Sequence, residues 1–176
     1  MQQEEAKKVM EVLRSAIQME VDGKEFYQQA SQKSGNKLAK ELFQNLANEE
    51  DEHRKKFEEI YQALREGRDW PDVEPPSGAV KRLKSIFAKA TKELGGKIKV
   101  AESEIEAVKI AKNMEDKSYS FYQARDTEAT HPLEKKFYQA LAAEERVHFL
   151  ALLDSYEYLT DPAGWFVMKE HRLDGI

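Results

Sequence analysis

Leu46-Ala47-Asn48-Glu49-Glu50-Asp51-Glu52-His53 returns 95 positions later as Leu141-Ala142-Ala143-Glu144-Glu145-Arg146-Val147-His148. The same offset aligns residues 9–61 with 104–156 without a gap, and 16 of the 53 pairs are identical. Met19-Glu20 matches Met114-Glu115, Phe26-Tyr27-Gln28 matches Phe121-Tyr122-Gln123, and Tyr61 matches Tyr156. The chain is therefore built on a duplicated unit. Each copy carries a Glu in its first part and Glu-Glu-x-x-His in its second.

Hydrophobic spacing gives the unit its shape. Val9, Leu13, Ala16, Ile17, Tyr27 and Ala30 recur at steps of three, four and seven, which predicts an amphipathic helix over about residues 4–34. Gly35-Asn36 breaks it, with Asn36 as the next cap, and Leu38, Leu42, Leu46, Phe57, Ile60 and Leu64 predict a second helix to residue 67. In the second copy, Ser103 and Glu106 have capping-box spacing for a third helix, and Pro132 suits the start of a fourth that runs to about 159. Asp161-Pro162 reads as a stop, leaving 160–176 as an irregular tail with Trp165 and Phe166 packed on the bundle or on a neighbouring subunit. One domain is expected over 1–176: hairpins at about 4–67 and 103–159, and a crossover at 68–102 holding a short helix from about 79 to 94, before Gly95-Gly96. A connection that long predicts an all-α four-helix bundle whose crossover runs the length of the bundle.

The acids and imidazoles fall at one depth. Counted from Gly35, Glu20 lies 15 residues back and Glu50 and His53 lie 15 and 18 forward; counted from His131, Glu115 lies 16 back and Glu145 and His148 lie 14 and 17 forward. Antiparallel helices rising about 1.5 Å per residue bring these to the same level. Residues three apart share a helix face, and Glu50 and His53 interrupt an otherwise apolar seam. Four buried carboxylates carry a charge of about −4, which is untenable without neutralisation. Two divalent metals cancel it, and one Glu from each of two helices plus Glu-x-x-His from the other two is the ligand set of di-iron and di-manganese bundles. Glu20, Glu50, His53, Glu115, Glu145 and His148 are thus the candidate metal ligands. Carboxylate-rich ligation with one imidazole per metal suits two iron ions, with manganese the alternative.

These repeated elements, Met-Glu-x6-Tyr and Glu-Glu-x-x-His, resemble those of the rubrerythrins and related ferritin-like proteins, over both hairpins but not the crossover or tail. The resemblance implies that the six matched positions ligate iron, that Tyr27 and Tyr122 hydrogen-bond to ligand carboxylates, and that the diiron centre reacts with peroxide or dioxygen as a peroxidase-like oxidoreductase of oxidative-stress defence. It departs at two points. Rubrerythrins proper carry a rubredoxin domain with four Cys, whereas this chain has no Cys, so electrons come from a separate donor such as a rubredoxin. They also bear a further ligand Glu one turn after the third-helix ligand, where this chain has Ser118, with Gly23 at the mirrored position.

Composition narrows the alternatives. Zero Cys excludes disulfides, iron–sulfur clusters and thiol chemistry, and a net charge of −5 favours neither nucleic acid nor an anionic membrane. No apolar run approaches membrane-spanning length, so the expected address is the cytoplasm, and a homo-oligomer, a dimer first, is the expected assembly. Ferroxidase or iron-storage activity without multiple turnover is the competing function; manganese catalase and a metal-free structural bundle follow. Glu128 and His131 also have Glu-x-x-His spacing, but they stand at a helix end before Pro132 and mirror Lys33 and Asn36, so they are read as a coincidence. Residues 81–99 hold seven Lys or Arg against one acid, read as a lid with its apolar side on the bundle or as a docking patch for an acidic electron carrier.

Overall fold

The computed structural model describes residues 2–95 and 98–173. Met1, Gly96 of the expected Gly95-Gly96 break, Lys97 of the basic connection and the last three residues of the expected tail lie outside them. Six helices follow in order: α1 (Gln2–Lys33), α2 (Lys37–Arg65), α3 (Ala79–Leu94), α4 (Glu102–Glu128), α5 (Pro132–Thr160) and α6 (Pro162–Leu173). Two hairpins, α1 with α2 and α4 with α5, pack face to face in a ferritin-like bundle, and α3 lies across α2 and α5.

Local chemistry sets the ends of these helices. Asn36 accepts from the Ala39 N–H at 3.2 Å and so caps α2. At the other end Gly67 adopts φ 75°, and bonds from Gly67 N–H to Leu64 O and from Arg68 N–H to Ala63 O close a Schellman turn. The His131 side chain caps α5 by accepting from Leu133 N–H, with Pro132 in the first turn.

The crossover runs from end to end. It leaves α2 near the second hairpin's turn, where Asp69 lies 3.5 Å from His131, and it reaches α4 beside the first hairpin's turn, where the Asn36 side chain meets Lys99 O.

Two expectations are corrected. The Ser103–Glu106 capping box is not used: α4 begins at Glu102, and Glu104 accepts from the backbone N–H of Ala101 at 2.8 Å and of Asn36 at 2.7 Å. That tertiary bond to the neighbouring turn selects the earlier start. Likewise, most of the expected irregular tail is α6. Asp161-Pro162 ends α5 and starts α6 together, because Asp161 accepts from Gly164 N–H at 3.0 Å while Pro162 occupies the first helical position. The Trp165 indole then donates to Asp154 at 3.0 Å and docks α6 on α5.

Two apolar clusters fill the bundle. One gathers Tyr27, Leu38, Leu42, Phe43, Leu152 and Tyr158; the other gathers Leu13, Phe57, Trp70, Tyr122, Phe137 and Leu141. A layer of buried charged side chains accompanies them, which an apolar bundle tolerates only if each charge is compensated. No helix among the described residues is long and apolar enough to cross a membrane.

Candidate metal centre

All six sequence-selected residues are buried: Glu20 on α1, Glu50 and His53 on α2, Glu115 on α4, Glu145 and His148 on α5. They form two overlapping groups, Glu20–Glu50–His53–Glu145 and Glu50–Glu115–Glu145–His148, each with ligand atoms within 4.8 Å of one another. Glu50 and Glu145 belong to both.

The geometry repeats the sequence duplication. His53 Nδ1 lies 3.5 Å from Glu20 Oε2, 3.8 Å from Glu50 Oε2 and 3.2 Å from Glu145 Oε1. His148 Nδ1 lies 3.5 Å from Glu115 Oε2, 3.5 Å from Glu50 Oε1 and 3.7 Å from Glu145 Oε2. Each shared glutamate thus turns one oxygen to each imidazole. The two rings are nearly parallel, 11° apart with centroids at 5.7 Å.

Tyrosines hold the two outer acids crosswise. Tyr27, on the first hairpin, donates to Glu115 of the second, and Tyr122 donates to Glu20 of the first. Each hydroxyl therefore stitches the hairpins together while fixing one carboxylate oxygen and leaving the other turned inward.

Electrostatics within the cluster is severe. Burial, then the charges of Glu145 and Glu20, pushes the Glu50 carboxyl well above its ordinary range; burial and Glu145 push Glu115 up to about 8. Burial also opposes charge on Glu145, but the close approach of Glu115, His148 and His53 outweighs it and holds that carboxyl well down. Both imidazoles are raised, because the surrounding carboxylates overcome the cost of burying their charge.

Glu20 Oε2, His53 Nδ1, Glu115 Oε2, Glu145 Oε1 and His148 Nδ1 are all buried without a hydrogen bond among the described residues. Five orphaned donor atoms converging on one space, on oxygen and nitrogen alone, fit a pair of metal ions.

Sequence reasoning gave no role to Glu49, Glu144 or Arg82. Glu49 Oε2 lies 3.0 Å from His148 Nε2, and its Oε1 accepts from Arg82 Nε at 2.9 Å. Burial notwithstanding, His148, Arg82 and Asn45 bring the Glu49 carboxyl down to about 2, so it stays ionised. An ionised acceptor at Nε2 keeps the imidazole's proton there and leaves Nδ1 for the cluster. Glu144, the repeat partner of Glu49, keeps its Oε2 buried and without a hydrogen bond among the described residues. The duplicated Glu49/Glu144 pair was the available signal. Arg82, which comes from the crossover, had none.

Glu128 and His131 do not join either group. Arg125 pairs with Glu128 at 3.0 Å, and His131 is occupied as the α5 cap. Glu128→Ala and His131→Ala are therefore expected to leave metal content unchanged by elemental analysis. Gly23 faces Glu50, where an added Cβ would sit 3.5 Å from Glu50 Cγ.

The rubrerythrin family model matches residues 11–156, which spans both hairpins and the crossover. The chain belongs to the rubrerythrin family. Compared with curated proteins and with solved structures, it finds no match. Membership in the rubrerythrin family and the buried carboxylate–imidazole cluster agree on a metal-binding helical bundle compatible with a diiron site.

Proposed function

We propose that Glu20, Glu50, His53, Glu115, Glu145 and His148 hold two iron ions, with manganese the alternative, and that the loaded protein reduces hydrogen peroxide or dioxygen. The observation that supports this most is the sharing of Glu50 and Glu145, each with one oxygen toward each imidazole, as two adjacent cations require. When bound, the metals supply redox electrons and polarise the oxygen–oxygen bond. The chain's residues do the rest. Tyr27 and Tyr122 fix the outer carboxylates, Glu49 orients His148, and the flanking apolar clusters keep bulk water out.

A polar cleft of about 440 Å³ under the crossover, bordered by Glu49, Ser77, Arg82 and Glu144, reaches His53. A molecule the size of peroxide fits there, and the cleft leads to the cluster's edge. In this reading electrons come from a separate donor such as a rubredoxin, and the protein works as a homo-oligomer, a dimer first.

The test is donor oxidation by the iron-loaded protein in the presence of peroxide. Reduction of one peroxide to two waters takes two electrons and two protons, so reduced rubredoxin, a one-electron carrier, should be oxidised at two equivalents per peroxide over many turnovers. A single oxidation of bound ferrous iron, with no sustained donor consumption, would instead return the ferroxidase or storage function.

A further inference from the structure

The two halves of the bundle differ in the rings that lead away from the site. Tyr122, which donates to Glu20, stacks on Tyr138 with centroids 6.2 Å apart and planes at 22°. Tyr138 lies 6.1 Å from Trp70, on the crossover, whose indole is 6% exposed. Phe57 and Phe137 pack around this row. In the other half Tyr27 donates to Glu115 in the same way, but the ring stacked on it at 6.0 Å is Phe43. Phe43 and Tyr138 are repeat partners, 95 residues apart.

Packing does not account for the phenol at 138. Its hydroxyl is buried and makes no hydrogen bond among the described residues, so phenylalanine, as at 43, would remove an unmet polar group. Phenol and indole share a property that phenylalanine lacks: each yields an electron to a strong oxidant and recovers it from a mild reductant.

We propose that Tyr122, Tyr138 and Trp70 form an outlet that carries oxidising equivalents from the site to the protein surface when the electron donor runs short. The inference rests on the reading of the site as an oxidant-reducing metal centre. Peroxide accepts two electrons and two protons; a site left with one reducing equivalent by a short donor supply provides one electron, and Tyr122 gives the other inward, passing its phenolic proton along the existing bond to Glu20. Tyr138 refills Tyr122 with an electron, and the proton returns from Glu20. The Tyr138 proton goes to Glu134, one turn earlier on the same face of α5. Trp70 refills Tyr138 and loses its indole proton to water while Glu134 returns the phenolic one. An ascorbate-type reductant then restores Trp70 with one electron and one proton.

Trp165 provides a matched control. It stands 95 residues after Trp70 and is also 6% exposed, but its ring contacts among the described residues run to Phe87, Tyr158 and Phe166, not to either site tyrosine. The experiment loads the full chain with ferrous iron, verifies stoichiometry and peroxide consumption, withdraws one electron per chain with a chemical oxidant, and adds excess peroxide without donor. Freeze-quenched paramagnetic resonance and peptide mapping then read radicals and oxygen-added residues.

The expected result is a phenoxyl or indolyl signal and several-fold more oxidation at Trp70 than at Trp165. Tyr138→Phe should abolish that excess while iron content stays the same and the melting temperature is unchanged or higher. Equal oxidation of the two indoles, or an excess that survives Tyr138→Phe, overturns the outlet while leaving the metal centre standing. Failure to take up iron or consume peroxide overturns the reading of the site, and the outlet with it.

Discussion

Glu145→Ala is expected to empty both metal positions, taking the iron-reconstituted protein from about two ions per chain to almost none. Glu20→Ala is expected to remove only one. The difference follows from membership: Glu145 belongs to both ligand groups, whereas Glu20 belongs only to the group around His53, so its loss leaves Glu50, Glu115, Glu145 and His148 together. Glu50→Gln should act like Glu145→Ala on metal content, and it separates binding from folding. Since the Glu50 carboxylate is disfavoured by burial and by its acidic neighbours, the neutral amide should fold at least as well without metal. Elemental analysis beside thermal melts of the metal-free proteins reads both effects. Equal losses from Glu20→Ala and Glu145→Ala would show that the two groups do not share their acids.

The second large effect is a divergence with pH between metal-free and loaded protein. Without metal, Glu50, Glu115, His53 and His148 all have pKa values raised above their unfolded ones. Across neutral pH the native state then binds more protons than the unfolded state, so stability falls as pH rises from about 5, just above the unfolded carboxyl range, through 8. Glu145 works in the opposite sense: its depressed pKa contributes stability that is fully present above the unfolded value and is lost only in acid. Within pH 5–8 the falling contributions therefore act alone. Each extra proton held by the native state steepens the decline by roughly 1.4 kcal/mol per pH unit.

Metal binding displaces those protons and strengthens as pH rises. A ligand at a thousandfold excess over its dissociation constant adds about 4 kcal/mol. Melting temperatures of the two forms should therefore separate progressively toward pH 8. Parallel curves would mean that the four raised groups do not surround the metal.

Both hairpins were legible because the duplication is internal to the chain: each repeat unit repeats the other's seam, and Leu46, Glu50, His53 and Phe57 keep a single helix face. The convergence of the six candidate ligands was legible for the same reason, since depth along antiparallel helices follows from counting residues. What depends on how one hairpin sits against the other was not. Tyr27 lies seven residues from Glu20 on its own helix yet donates to Glu115, a bond set by docking rather than by spacing. Arg82 reaches Glu49 from α3, a helix whose span was predicted but whose docking against α2 depends on the path of the crossover. The start of α4 was misplaced because Glu104 is engaged by Asn36 across the bundle, and α6 was missed because an Asp-Pro pair can end one helix and begin the next.

Anaerobic titration of the unmodified chain with ferrous iron, followed by elemental analysis after removal of unbound metal, tests the central claim most directly. If Glu20, Glu50, His53, Glu115, Glu145 and His148 form one dinuclear site, the titration breaks sharply at two ions per chain, and Glu128→Ala protein gives the same curve. A break at one ion, or gradual uptake without a break, would contradict it.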